Sequence, residues 1–231
     1  MTDVHRVFLT GPEAVAAICI DFRQYSAQNR LFRDLSPIIL GPDSAVSPDP
    51  GGEGVWISEG RRMRRISAED LRERLCRALE AHPPPLPRLA GICGRVFRTS
   101  ARVGRSGDGV EEGIWIDTGM AAYRCRQCGD CCRRLDYRHQ ATAEDVDRWR
   151  RRGRDDILAW VREDRGADGE PVYSIWREPG AARFAEVCPW LENLPGTAKW
   201  ICAIHDVKPE ICRQYPASRK HAEMTGCGGF G

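Results

Sequence analysis

Eight cysteines in the second half of this chain stand at spacings suited to metal ligation: Cys125, Cys128, Cys131 and Cys132 in the segment CRQCGDCC, then Cys188, Cys202, Cys212 and Cys227. Gaps of two residues let neighbouring thiolates turn inward onto one ion or cluster, and Gly129 supplies the positive φ that such a turn often needs. Repeating the gap puts three thiolates around one centre, as in the first three ligands of a bacterial ferredoxin run. The fourth ligand of such a run, three residues on and followed by proline, is missing, and Cys132 follows at once. Adjacent side chains diverge, so Cys131 and Cys132 are candidates for two different centres. The later thiols have their own settings. Cys188 precedes Pro189 and Trp190, Cys202 and Cys212 lie with His205 in CAIHDVKPEICRQYP, and Cys227 lies in GCGG, where bare backbone can approach a cofactor. Two four-sulfur sites, or one site with spare thiols, both satisfy this pattern.

Composition supports ligation over other uses of the thiols. The 231 residues include 11 cysteines. There is no apolar run near the roughly 20 residues that a spanning helix needs. The segment MTDVHR has no basic start leading into an apolar stretch, so it does not read as a secretory signal. The expected location is the cytosol, where disulfides are not the default use of thiols and metal binding is. Hydrophobic residues make up 42% of the chain, enough for a core, and charged residues 29%, which excludes a membrane protein or a disordered tail. With 35 basic against 33 acidic residues, nothing supports general nucleic-acid binding. Two arginine runs, Arg61, Arg62, Arg64 and Arg65, then Arg148, Arg150, Arg151, Arg152 and Arg154, read as solvated faces. A docking patch for an acidic partner or nucleic acid is the competing reading.

CRQCGDCC at 125–132, CPWL at 188–191, CAIHDVKPEICRQYP at 202–216 and Cys227 together resemble the CxxCxxCC cysteine-cluster family, zinc- or iron-chelating and YkgJ-like. The resemblance spans about 100 residues and implies that all eight cysteines belong to the family pattern. His205 and Lys208 stand where many relatives carry Tyr and Arg, so the resemblance does not make His205 a ligand. The family includes flagellin lysine methylases, but this chain shows no separate methyl-donor motif.

Charge does not separate the two metals, because four thiolates around zinc or around a [4Fe–4S] cluster both carry a net charge of about −2. Arg124, Arg126, Arg133, Arg134, Lys208 and Arg213 could offset either. The ferredoxin-like spacing favours [4Fe–4S] over Zn2+, and Trp190, Trp200 and Tyr215 would shield a cluster from water. Three functions follow: an iron–sulfur protein in electron transfer or accessory to a redox enzyme, with a redox partner protein; a zinc-stapled interaction module; or a metal-dependent, methylase-like transferase. For the last, His205, His139, Asp136 and Tyr137 are the acid–base candidates.

The expected fold class is α+β: a small α+β region over 1–120, then a loop-rich, metal-stapled cysteine-cluster domain over 121–231. In the first region, Val7 to Leu9 reads as a strand. Gly11-Pro12 opens a helix with Val15, Ile18, Phe22 and Tyr25 on one face. Residues 42–54, rich in proline and glycine, read as a loop. Val55 to Ile57 and Met63 to Ile66 form a hairpin turning at Glu59 and Gly60. Ser67 caps a helix, with Asp70 three residues on and Leu71, Leu75 and Leu79 along one side, ending before Pro83. A second hairpin pairs Val96-Phe97 with Ile114 to Ile116 across a loop at 104–113. Cys19, Cys76 and Cys93, scattered here, read as structural thiols. In the second region, Thr142 to Asp145 caps a helix ending at Gly153, residues 155–161 form another, and Val172 to Trp176 a strand. From Cys188 on, short turns with little apolar material of their own need a metal staple.

Overall fold

A computed structural model describes residues 5–25, 28–49, 54–60, 62–166 and 168–230. Arg61 of the first arginine run, Pro50 to Glu53 of the expected loop, and Met1 to Val4 lie outside the described residues. The chain divides into two compact units, Met1–Ala121 and Ala122–Gly231.

The first unit is a mixed α+β body. Strand β1 (Arg6–Leu9) leads into helix α1 (Gly11–Gln24), where Thr10 and Glu13 form a capping box over the free amides of the first turn. Helix α2 (Asn29–Ile39) precedes strands β2 (Ser44–Pro48), β3 (Val55–Glu59) and β4 (Arg62–Ile66), an antiparallel sheet in the order β2-β3-β4. Helix α3 (Ala68–Ala81) has the expected cap, with the Ser67 hydroxyl accepting from the Asp70 amide at 2.9 Å. Helix α4 (Leu86–Phe97) and strands β5 (Ala101–Arg105) and β6 (Glu112–Asp117) complete the unit, the second sheet running β1-β6-β5. Val15, Ile18 and Phe22 from α1 meet Leu71, Leu75 and Leu79 from α3 in a single core. Cys19, Cys76 and Cys93 are buried in that core.

Two expectations fail in this unit for physical reasons. Residues 44–48, within the stretch read as loop, form β2: Ser44 and Val46 point inward, and Pro48 sits at the strand end, where its missing amide costs least. Val96 and Phe97 close helix α4 instead of forming a strand, because Leu89, Ile92, Cys93 and Val96 recur at helical spacing. The partner of β6 is β5, in the register Gly104↔Gly113. Those glycines signal close packing here: a Cβ on Gly113 would lie 2.4 Å from the Leu9 carbonyl oxygen, and one on Gly104 3.0 Å from the Trp115 ring.

The second unit is built of short pieces: α5 (Asp130–Arg134), α6 (Ala143–Arg151), α7 (Asp155–Leu158), β7 (Val161–Arg165), β8 (Pro171–Ile175), β9 (Leu191–Asn193), β10 (Trp200–Cys202), α8 (Glu210–Gln214) and α9 (Arg219–Met224). The expected helix over 155–161 is shorter, since Val161 starts β7, which pairs with β8. Arg148 pairs with Asp145, Arg150 with Asp147 at 3.3 Å, Arg152 with Asp206 at 3.5 Å and Arg154 with Asp156 at 2.7 Å, so this run is a face of ion pairs. A small core gathers Val146, Trp149, Ile157, Tyr173, Ile175, Trp176, Ile204 and Val207. Ile204 and Val207 belong to the segment expected to lack apolar anchors, and the Trp149 indole donates to the Val207 carbonyl at 2.7 Å. The tail is therefore packed as well as thiol-rich.

Candidate metal centre

Backbone hydrogen bonds bring the scattered thiols together. The Cys188 amide donates to the Cys132 carbonyl at 3.2 Å, so the CPWL turn lies beside α5. The Leu191 amide donates to the Cys188 carbonyl, and in the β9–β10 hairpin Cys202 stands opposite Leu191. The Trp200 amide donates to the Gln127 carbonyl at 2.7 Å, holding the first cysteine loop against β10. Gln127 and Gly129 on either side of Cys128 both have positive φ, +55° and +72°. Gly129 is required twice, since a Cβ there would also come within 3.1 Å of the Trp200 side chain.

Asp145 fixes α8, which carries Cys212. Its buried carboxylate closes the α6 capping box, accepts from the Glu210 amide at 3.0 Å and pairs with Arg148. The sequence shows Asp145 only as a capping residue, because its second task depends on a segment 65 positions away.

Cys227 reaches the first loop through its glycines. The Arg124 amide donates to the Gly229 carbonyl at 2.9 Å, and a Cβ on Gly229 would lie 2.3 Å from the Tyr123 ring. The bare backbone of GCGG thus approaches the chain's own residues 123–126. Tyr123 Oη lies 3.7 Å from Cys227 Sγ, a contact with no signature in the sequence.

A cavity of about 670 Å³ lies in this unit, lined in part by Cys125, Cys131, Cys132, Cys188, Cys202 and Cys212. Cys128 and Cys227 lie outside its lining. Cys131 and Cys132, expected to diverge, have their sulfurs 3.9 Å apart. Among the described residues, no three His, Cys, Asp or Glu side chains are drawn tightly enough to enclose an ion. Six of the thiols share a chamber without closing on a point. The cavity also takes in Trp176 and Trp200, with the Arg133 guanidinium 4.1 Å over the Trp200 ring. Trp176 has φ +63°, an uncommon conformation for a bulky residue and one that recurs at functional sites. Trp190 packs edge-on to Trp176, and Tyr215 lines the cavity.

The donor set fits a thiophilic metal. Burial pushes the Cys212 thiol up to about 12, with Cys132 and Cys202 adding to the effect. The neighbouring Cys132 thiol, then burial, pushes Cys131 up further. Such thiols are protonated when nothing withdraws their protons, and a bound cation would do so. The clearest mark of a missing group is Tyr137, whose Oη is buried without a hydrogen-bond partner. Burial, then Cys212 and Cys131, hold its phenol above the ordinary value, so it is a donor facing thiols.

The acid–base candidates separate. Tyr137, Asp136 and His205 line the cavity, with Asp136 3.6 Å from Arg138. His139 does not; its Nδ1 lies 3.1 Å from Ser174 Oγ.

Residues 124–228 match the family model CxxCxxCC, described as "Putative zinc- or iron-chelating domain". No curated protein and no solved structure matches the chain. No described helix is long and apolar enough to cross a membrane.

Proposed function

We propose that the CxxCxxCC domain formed by residues 124–228 holds an iron–sulfur cluster, [4Fe–4S], and serves electron transfer to a redox partner protein or supports a redox enzyme. The observation that carries this reading is the convergence of six thiols on one cavity walled by Trp176 and Trp200. Cys125, Cys128, Cys131, Cys132, Cys188, Cys202, Cys212 and Cys227 are the ligand candidates. Aromatic walls limit water at the sulfurs, and exposure is one of the factors that set a cluster's potential. When bound, the cluster supplies one-electron chemistry. The protein's share is to hold the thiols, to place Arg133 and Lys208 beside them, and to offer Tyr137 as a donor.

Protein purified without oxygen should show broad visible absorbance, and iron and acid-labile sulfide in equal amounts. Colourless protein carrying zinc alone would sink the reading. The same lining thiols also suit zinc, which is the second reading. In that case the metal would staple an interaction module, and its removal would unfold the second unit without abolishing any chemistry.

A further inference from the structure

The backbone ties divide the eight thiols. Arg124 bonds Gly229 and Tyr123 touches Cys227, so the C-terminal cysteine is fastened beside Cys125. Cys132 bonds Cys188 through the main chain, Cys188 leads through Leu191 to Cys202, and α8 brings Cys212 to the same cavity. Two of the eight thiols are exposed and six half-buried, and Cys125 and Cys131 line the cavity as well. Cys132, Cys188, Cys202 and Cys212 all line the cavity and are half-buried. Cys125 and Cys128 are exposed, while Cys128 and Cys227 lie outside the lining. Cys131 and Cys132, adjacent in α5 and 3.9 Å apart at sulfur, stand where the sets meet. An intervening gap of two residues joins Cys131 to Cys128 and Cys128 to Cys125, which places Cys131 with the outer set.

We propose that the chain carries two four-thiol metal centres, an outer one of Cys125, Cys128, Cys131 and Cys227 and an inner one of Cys132, Cys188, Cys202 and Cys212. This rests on the reading of the second unit as a metal carrier, but not on which metal it carries in the cell. The outer centre, with two exposed thiols and fastened through Gly229, exchanges its metal first. The inner centre, hung between α5, the β9–β10 hairpin and α8, holds the unit together.

Zinc titrated into reduced, metal-free full-length chain tests the division, because zinc reports thiol grouping whichever metal is native. The expected result is two ions per chain and two phases of release to a chelator, the faster protecting Cys125, Cys128, Cys131 and Cys227 from alkylation. Cys125→Ser with Cys227→Ser should bind one ion and lose the fast phase, with the four inner thiols still protected. Cys188→Ser with Cys202→Ser should lose the slow phase. One ion per chain, or a single phase protecting thiols from both sets, would overturn the division while leaving metal binding intact. No tightly held zinc would overturn the metal reading itself, and the division with it. The parent chain gives both counts, so a variant that fails to fold does not remove the test.

Discussion

Replacing Tyr137 with Phe removes one oxygen and nothing else, and that oxygen is expected to act in opposite directions with and without bound metal. Its hydroxyl is buried with no hydrogen-bond partner in the protein. Such a group costs about 1–3 kcal/mol in lost hydration. Phe should therefore stabilise the metal-free protein by that order. In the loaded protein the neighbouring Cys212, Cys131 and Cys132 sulfurs become charged acceptors. A hydrogen bond to a charged group contributes about 1.5–3 kcal/mol, and 1.4 kcal/mol corresponds to a factor of ten. The two effects add in the binding cycle to about 2.5–6 kcal/mol, so zinc affinity should fall by roughly two to four powers of ten.

Urea unfolding of the reduced, metal-free chain and zinc competition against a chelator of known affinity measure the two effects separately. The opposite signs make the test strict. A residue that only packs would lower stability and affinity together. Affinity within twofold of the parent, or a less stable metal-free variant, would refute the assignment of Tyr137 as a thiolate donor.

Asp145→Ala should lower the unfolding midpoint by the equivalent of about 3 kcal/mol, because it leaves the Glu210 amide unpaired and Arg148 with only the Lys208 carbonyl beside a buried site. It should also weaken zinc binding, since α8 and Cys212 lose their anchor; a variant with parental zinc affinity would show that α8 is held by other contacts. Cys19→Ala, Cys76→Ala and Cys93→Ala should each leave the metal content unchanged, and any loss of metal would overturn their structural assignment. Burial pushes the Cys93 thiol from 9.0 up to about 12. Its contribution to stability is therefore fully present below about pH 9 and lost as pH rises toward 12, since the unfolded chain gives up that proton first. Urea midpoints across this window should fall less steeply in Cys93→Ala than in the parent, and parallel curves would contradict the burial argument.

Local signals in the sequence were reliable where the structure is local. Ser67 and Thr142 cap helices as their spacing to Asp70 and Asp145 predicts. Glycine and proline misled where their cause is packing between distant segments. Gly104 and Gly113 face each other across a ladder under Trp115 and Leu9, and nothing within either segment records that. Pro42, Pro48 and Pro50 obscured β2, whose strand character comes from pairing with β3.

The thiols show the same division. Their chemistry was legible because cysteine has few uses at such density, and the spacing of Cys125, Cys128 and Cys131 reads as one shared centre. The later four declare nothing, because what joins Cys132 to Cys188 and Cys125 to Cys227 is main-chain hydrogen bonding between segments far apart in sequence. The glycines of GCGG were legible as permission for close approach, but what approaches is the ring of Tyr123 and the carbonyl of Arg124, at 2.3 and 3.0 Å from where a Cβ would stand. A Gly229→Ala chain should therefore lose the outer thiols' hold on metal while the inner four keep theirs. If both sets weakened equally, the tail would be acting on the unit as a whole, and the separate fastening of Cys227 beside Cys125 would be wrong.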